Sequence, residues 1–312
     1  MRLLAIVGPT ATGKTPLAVA VAERLQPAEL LNADSRQVIA GLHVATCAPT
    51  AADLRTIPCH LLALHAPGTP FSVADWLAAA RSTLDDMDAR KAQPILVGGT
   101  GLYTTALIDG LDLARVPADP ARREQRTAIA RQPGGLDQLA AELHDRDPAA
   151  AASIDLHNPR RIVRALEILD AHGPPLHAAR TRSATPLPAT IIGLDAPRDL
   201  HAQLIEQRAR TMFETGALRE EVDSALGRGI SRTALESAGI GYREALAVGD
   251  GLVTSEQAAQ LVAQRTRRYA KAQRTWFRRD RRIRWLERDA GPVERLVDEV
   301  LDALREDARA GQ

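Results

Sequence analysis

The sequence predicts an α/β fold: a parallel sheet flanked by helices, interrupted by an inserted all-helical domain. Three observations carry that expectation. Short apolar runs alternate with helix-period segments as far as Gly101, a segment rich in Arg, Ala and Glu follows with no strand pattern, and a strand-like run, Ala189-Thr190-Ile191-Ile192-Gly193-Leu194, then returns. Alternation of strand and helix implies parallel pairing, because each crossover lays a helix on a face of the sheet.

Taken in order, Leu3 to Val7 is uniformly apolar, as a strand buried on both faces should be, and Lys14 to Leu25 reads as the helix after it. Glu29 to Asn32 is the second strand. The helix Val73 to Lys91 begins at Ser72, with Asp75 three residues on as the partner in a capping box. Pro94 to Gly98 ends the third apolar run. From about Asp119 to Leu169 the periodic segments are helical only, punctuated by Pro133-Gly134-Gly135 and followed by Gly173-Pro174-Pro175. The expected domains are thus residues 1–118 with 185–312 as the core, and 119–184 as a helical insertion. Beyond Leu194 the chain is expected to be helical to its end.

With 312 residues, 45% hydrophobic and 25% charged, the chain can bury a sizeable core, which excludes a disordered protein. No apolar run approaches the ~18 residues of a membrane span. Leu3 to Val7 is too short for a signal-peptide core, so a cytoplasmic protein with no membrane partner is expected. Cys47 and Cys59 lack Cys-x-x-Cys spacing and read as ordinary thiols, and the histidines, His201 among them, show no metal-ligand spacing. The net charge of +1 hides one strong asymmetry: residues 265–284 hold ten basic side chains against the single acid Asp280. Such a block suggests a polyanion partner, or else a helix face whose acidic partners lie elsewhere in the fold.

Gly8-Pro9-Thr10-Ala11-Thr12-Gly13-Lys14-Thr15 matches G-x-x-x-x-G-K-[ST] in full, between a strand and a helix as that pattern requires. The sheet is therefore expected to be P-loop NTPase-like. Backbone N–H groups of such a loop cradle phosphate oxygens, Lys14 reaches a terminal phosphate and Thr15 ligates Mg²⁺. The loop leaves open whether the guest is a nucleotide or another polyphosphate. Phosphoryl-transfer proteins usually add an apolar strand ending in an acid, but Pro94-Ile95-Leu96-Val97 runs into Gly98-Gly99-Thr100-Gly101, which speaks against ATP hydrolysis. Asp34 stands where the second strand ends, at the sheet edge that binds ligands in such folds. It could be a general base or the cap of a turn.

These residues, with others along the chain, carry a resemblance. The loop Gly8 to Thr15, Ala33-Asp34-Ser35-Arg36-Gln37-Val38, Phe71 to Asp75, Pro94 to Tyr103, Asn158 to Glu167, Gly239 to Glu244 and Lys271 to Arg278 occur in this order over nearly the whole length. In them the chain resembles the tRNA dimethylallyltransferases, also called tRNA isopentenyltransferases. The resemblance implies transfer of a dimethylallyl group from dimethylallyl diphosphate to the exocyclic amine, N6, of the adenosine 3′-adjacent to the anticodon, in tRNAs reading codons that begin with U. It implies that the loop, residues Gly8, Pro9, Thr10, Ala11, Thr12, Gly13, Lys14 and Thr15, holds the diphosphate with Mg²⁺, so that no phosphoryl group moves. It makes Asp34 the general base, Thr100 a positioning group for the amine or the diphosphate, and Arg208 a diphosphate partner. It assigns tRNA contacts to Asp34, Ser35, Arg36, Gln37 and Thr100, to Arg160, Arg161 and Arg164, to Gly241, Tyr242 and Arg243, and to Lys271, Gln273, Arg274, Trp276 and Arg278. By the same resemblance the insertion grips the anticodon stem. A monomer suffices for one stem-loop.

Three positions depart from the family's usual pattern: Ile39 replaces an aromatic, Ala45-Thr46-Cys47-Ala48-Pro49 lacks the usual Lys, and Pro58-Cys59-His60-Leu61 has Cys59 in place of a His. These changes are expected to remove a cation and an imidazole from the neighbourhood of the site. Three other readings compete: an enzyme that prenylates free AMP or ADP, a small-molecule kinase, and a non-catalytic RNA-binding protein. The basic block favours RNA over a free nucleotide, and the missing acid after Val97 disfavours the kinase.

Overall fold

A computed structural model of the chain describes residues 2–113, 119–176, 180–182 and 186–310. Its elements, in order, are β1 (Leu3–Val7), α1 (Lys14–Arg24), β2 (Ala28–Asn32), α2 (Ala51–Leu54), β3 (Cys59–His60), α3 (Val73–Ala89), β4 (Gln93–Gly98) and α4 (Gly101–Ile108). There follow β5 (Leu111–Leu113), α5 (Pro120–Ala130), α6 (Gly135–Arg146), α7 (Pro148–Ser153), α8 (Pro159–His172) and β6 (Arg180–Arg182). The chain closes with β7 (Ala189–Asp195), α9 (Arg198–Glu214), α10 (Ala217–Gly227), α11 (Arg232–Ala238), α12 (Tyr242–Gly249), α13 (Ser255–Phe277), β8 (Arg284–Glu287) and α14 (Val297–Ala310). Contacts group these into two units, Met1–Ile108 with Leu187–Gln312, and Asp109–Pro186. The domain borders expected at 118 and 185 fall on residues outside those described.

The first unit is built on a six-stranded sheet in the order β3-β2-β4-β1-β7-β8. Every pair in it is parallel. The five residues of β1 are all buried, because the central strand is covered on both faces. On one face Leu4, Ile6, Leu30, Ile95, Ile192 and Leu194 pack with Leu17 and Val21 of α1 and with Val300 and Leu301 of α14. Both halves of the capping box at Ser72 and Asp75 are formed, and α3 starts there. Parallel pairing brings the carboxyl ends of β1, β2, β4 and β7 to one edge.

Two expectations about strands need correction. The chain is not helical throughout after Leu194, since β8 pairs with β7 at the edge of the sheet. Its four residues, Arg-Trp-Leu-Glu, are exposed at both ends and carry no apolar alternation to announce a strand. Nor is the stretch 119–184 purely helical, because Arg180–Arg182 pairs antiparallel with Leu111–Leu113. Three polar residues leave no period to read.

The second unit packs α5, α6, α7 and α8 around Leu139, Leu143, Ile162, Leu166 and Leu169. Ion pairs tie its helices together. Arg123 of α5 makes two hydrogen bonds to Glu167 of α8 at 2.6 and 2.7 Å, and Arg126 reaches both Asp170 and Glu142.

Candidate active site

The phosphate loop leaves β1 at Gly8, whose φ of +137° and whose contact with β7 both demand glycine: a Cβ there would lie 2.3 Å from the Leu194 carbonyl oxygen. Inside the loop the Thr12 hydroxyl donates to the Pro9 carbonyl at 3.0 Å, and Lys14 Nζ donates to the same oxygen at 2.6 Å. Burial lowers the Lys14 ammonium to about 8; Asp34 works against the shift and Arg208 adds to it. Arg208, on α9, donates to Thr10 Oγ1 at 3.2 Å. Lys14 and Arg208 therefore meet at the loop, with Asp34 near enough to act on the lysine's charge.

Asp34 follows directly on β2. Its N–H donates to the Asn32 side chain at 3.1 Å, and its Oδ1 accepts the Arg36 N–H at 2.9 Å. One carboxylate oxygen thus caps a turn; among the described residues no hydrogen bond engages Oδ2. Both readings of Asp34 coexist in one side chain. Thr100 stitches the neighbouring strand end to it: its N–H donates to the Ala33 carbonyl at 3.0 Å, its Oγ1 accepts the Ser35 N–H at 2.9 Å and lies 3.2 Å from Ser35 Oγ. Burial, with the charge on Asp34 adding to it, pushes the Tyr269 phenol up to about 12. Gly98 lets β4 close on Ala33, since a Cβ there would lie 2.3 Å from the Ala33 backbone.

Thr15, half-buried at the head of α1, has its hydroxyl free of protein partners among the described residues. No cluster of His, Cys, Asp or Glu able to cage a metal occurs among them. That donor set suits Mg²⁺, which keeps its waters and binds through one or two protein oxygens together with phosphate oxygens. Asp195, at the end of β7, does not supply the carboxylate that the run before Gly98 lacks: both of its oxygens are taken by Arg274, at 2.6 and 2.7 Å.

The residues assigned to tRNA divide. Arg160 and Arg161 are exposed on α8, Arg161 pairing at 3.9 Å with Asp155, and Arg164 pairs with Glu167 at 3.2 Å. Arg243 and Lys271 are exposed, Arg243 pairing at 3.4 Å with Glu236, and Trp276 is 38% exposed against Gly101. Arg278 pairs at 3.6 Å with Asp195 but keeps most of its side chain in solvent. Arg36 gives its guanidinium to the Ser237 and Ala238 carbonyls, and Gln37 its amide to the Cys47 carbonyl. Two assignments need correction. Tyr242 is fully buried, its hydroxyl donating at 2.8 Å to Glu221, which also accepts the His43 and Val44 N–H groups. Gln273 is 4% exposed and spends both ends on backbone, accepting from Thr10 N–H and donating to the Gly99 carbonyl. Neither presents a face to RNA; they hold the loop before Cys47 and the phosphate loop.

The basic block is likewise less free than its sequence implies. Arg265 pairs with Glu244, Arg267 with Glu206, Arg274 with Asp195, Arg282 with Asp280 and Arg284 with Glu306 and Asp307. Among the described residues no ion pair engages Arg268, Lys271, Arg279 or Arg281. The departures from the family pattern are also relocated. Cys59 belongs to β3 and packs on the core, where burial pushes its thiol up to about 12, so no imidazole is missing from the site. Cys47 does lie at the site, beside Arg208; burial raises its thiol while Arg208 pulls it down.

The family model described as IPP transferase matches residues 37–280. The chain belongs to that family. Among curated relatives, tRNA dimethylallyltransferase of Mycobacterium avium is 40% identical over 97% of this chain and 99% of its own length. That of Bifidobacterium longum is 38% identical, over 92% and 86% respectively. The full-length tRNA isopentenylpyrophosphate transferase of Bacillus halodurans superposes with a TM-score of 0.71 at 34% identity, covering 99% of both chains. A eukaryotic dimethylallyltransferase acting on tRNA, 21% identical, shares the fold with a TM-score of 0.79 over all of this chain and 80% of its own. Sequence reading missed His201, Asp195 and Tyr269; only Asp195, at the end of an apolar run, carried any signal.

Proposed function

We propose that this member of the IPP transferase family transfers the dimethylallyl group of dimethylallyl diphosphate to N6 of the adenosine 3′-adjacent to the anticodon, in tRNAs reading codons that begin with U. The observation that carries the reading is the pairing of a phosphate loop, holding Lys14 and Arg208 together, with a carboxylate across from it whose Oδ2 no described residue engages. Asp34 takes the N6 proton as the bond from nitrogen to the allylic carbon forms. The bond from that carbon to the diphosphate oxygen breaks, and its electron pair leaves with the diphosphate. Lys14, Arg208 and the loop N–H groups meet the growing charge on that oxygen. Thr15 would hold Mg²⁺ together with the diphosphate, and the ion would supply further charge neutralisation there. An aromatic amine is a weak nucleophile, so general-base help contributes ~10²–10⁴-fold.

The enzyme acts as a cytoplasmic monomer on an anticodon stem-loop, with residues 119–184 on the stem. Arg160, Arg161, Arg243, Lys271, Trp276 and the cations of the basic block that no ion pair among the described residues engages are its RNA contacts. No helix among the described residues is long and apolar enough to cross a membrane. The test is transfer of radiolabelled dimethylallyl from its diphosphate to a synthetic anticodon stem-loop, with AMP as the parallel acceptor and ATP omitted. Labelled RNA with unlabelled AMP is the expected result. Label on AMP alone would move the chain to the free-nucleotide reaction, and no label on either would overturn prenyl transfer.

A further inference from the structure

Thr10 has all three of its polar groups engaged from outside the phosphate loop. Its N–H donates to Gln273 Oε1 at 2.8 Å, its hydroxyl accepts from Arg208 at 3.2 Å, and its carbonyl lies 2.8 Å from His201 Nε2. A carbonyl can only accept, so Nε2 carries the proton and Nδ1 is left as an acceptor. Arg274, which has donors alone, lies 3.0 Å from Nδ1 and completes that tautomer. Both Asp195 oxygens then hold Arg274 in a two-point pair. His201 is 4% exposed and Asp195 8%, while Arg274 between them keeps 27% of its side chain in solvent.

We propose that Asp195, Arg274 and His201 form a brace, buried at both ends, that sets the orientation of the Thr10 peptide, making His201 and Arg274 positioning residues for the prenyl diphosphate. A trans peptide points its C=O and the next N–H in opposite directions. Drawing the Thr10 carbonyl out to His201 therefore turns the Ala11 N–H the other way. The Thr10 N–H, held by Gln273, likewise directs the Pro9 carbonyl away from Gln273, and that carbonyl receives Lys14 Nζ and the Thr12 hydroxyl. N–H groups set in advance bind an oxyanion without reorganising. Arg274 thus serves the phosphate loop and not the RNA that the family resemblance assigns to it. The inference rests on reading the loop as the diphosphate site.

His201→Phe keeps the ring's shape and removes both hydrogen bonds, His201→Gln restores a donor near the Nε2 position, and Arg274→Lys keeps the charge but not the two-point pair. Binding of inorganic diphosphate with Mg²⁺, the KM for dimethylallyl diphosphate, kcat and the salt dependence of stem-loop binding are measured for the full chain and each variant. We expect His201→Phe and Arg274→Lys to weaken diphosphate binding and raise KM about tenfold. Stem-loop affinity and its salt slope stay as in wild type, and His201→Gln returns within about threefold of it. Diphosphate binding unchanged in His201→Phe overturns the brace, as does an Arg274→Lys protein that loses stem-loop affinity alone. A His201→Gln protein no better than a folded His201→Phe overturns it too. If His201→Phe does not fold, the other two variants decide. A wild-type protein that binds no prenyl diphosphate overturns the function itself, a result separate from wild-type binding that the variants leave unaltered.

Discussion

At Lys14 the loss of water around the ammonium brings its pKa to about 8, so a rise in pH just above neutrality strips the loop of a charge. Diphosphate prefers the protonated form, so binding draws a proton onto Lys14 and affinity falls as pH rises through 8. Calorimetry in two buffers of different ionisation enthalpy should show proton uptake at pH 8.5 that is absent at pH 6.5; equal heats after correction would remove Lys14 from that role. In the proposed reaction Asp34 acts on the other reactant. Asp34→Ala should lower turnover about 10²–10⁴-fold, or roughly 3–5 kcal/mol of barrier, with stem-loop affinity little changed. A variant within threefold of wild type would take Asp34 out of the base role. Asp34 and Lys14 were legible in sequence because a strand end and a loop pattern announce them. His201 was not, since a lone histidine in a helix looks the same whether it braces a loop or fills a core.

At the scale of elements, the site is a meeting of strand ends that one small residue permits. Gly98 lies against the Ala33 backbone, next to Asp34. Gly98→Ala must push β4 away from β2, and overpacking of this kind costs about 1–3 kcal/mol. Urea unfolding should show that loss, and because the strand end carrying Asp34 shifts with it, turnover should drop at temperatures where the variant is still folded. An unchanged midpoint with full activity would show that the strands have room to spare. Elements with strong periods or caps, such as β1, α1 and α3, stand where the sequence puts them. β3, β6 and β8 do not announce themselves, because two to four residues cannot display a period and the sheet edge or partner strand supplies the hydrogen bonds.

At the scale of the whole molecule, charge patterning separates the two units. In the second, Glu167 and Asp170 are drawn in opposite directions: burial would raise both carboxyls, but the guanidinium groups of Arg123, Arg164, Arg126 and Arg146 hold them below the usual range. A depressed carboxyl contributes stability that is present above its unfolded pKa, near 4, and is lost as pH falls through the folded value. Acid should therefore loosen the packing of α5 and α6 on α8. Hydrogen exchange should show their amides losing protection from pH 6 to pH 3, and losing less in a Glu167→Gln protein; equal losses in both would show that the ion pairs contribute nothing there. In the first unit the paired arginines of α13 turn a block that reads as +9 into one in which Arg268, Lys271, Arg279 and Arg281 are the cations without an ion pair among the described residues.

The sequence by itself determined the α/β class, the phosphate loop, the strand that delivers Asp34, and the family. These are local matters, written in residue spacing, apolar period and contiguous motifs. Only the tertiary structure decided which charges are free, which polar groups of the motifs are buried supports, and that Asp195, Arg274 and His201 converge on one peptide of the loop. Those facts depend on pairs of residues from 73 to 191 positions apart. No local pattern encodes such separations, because burial and hydrogen bonding are settled by packing between elements and not by the order of residues along any one of them.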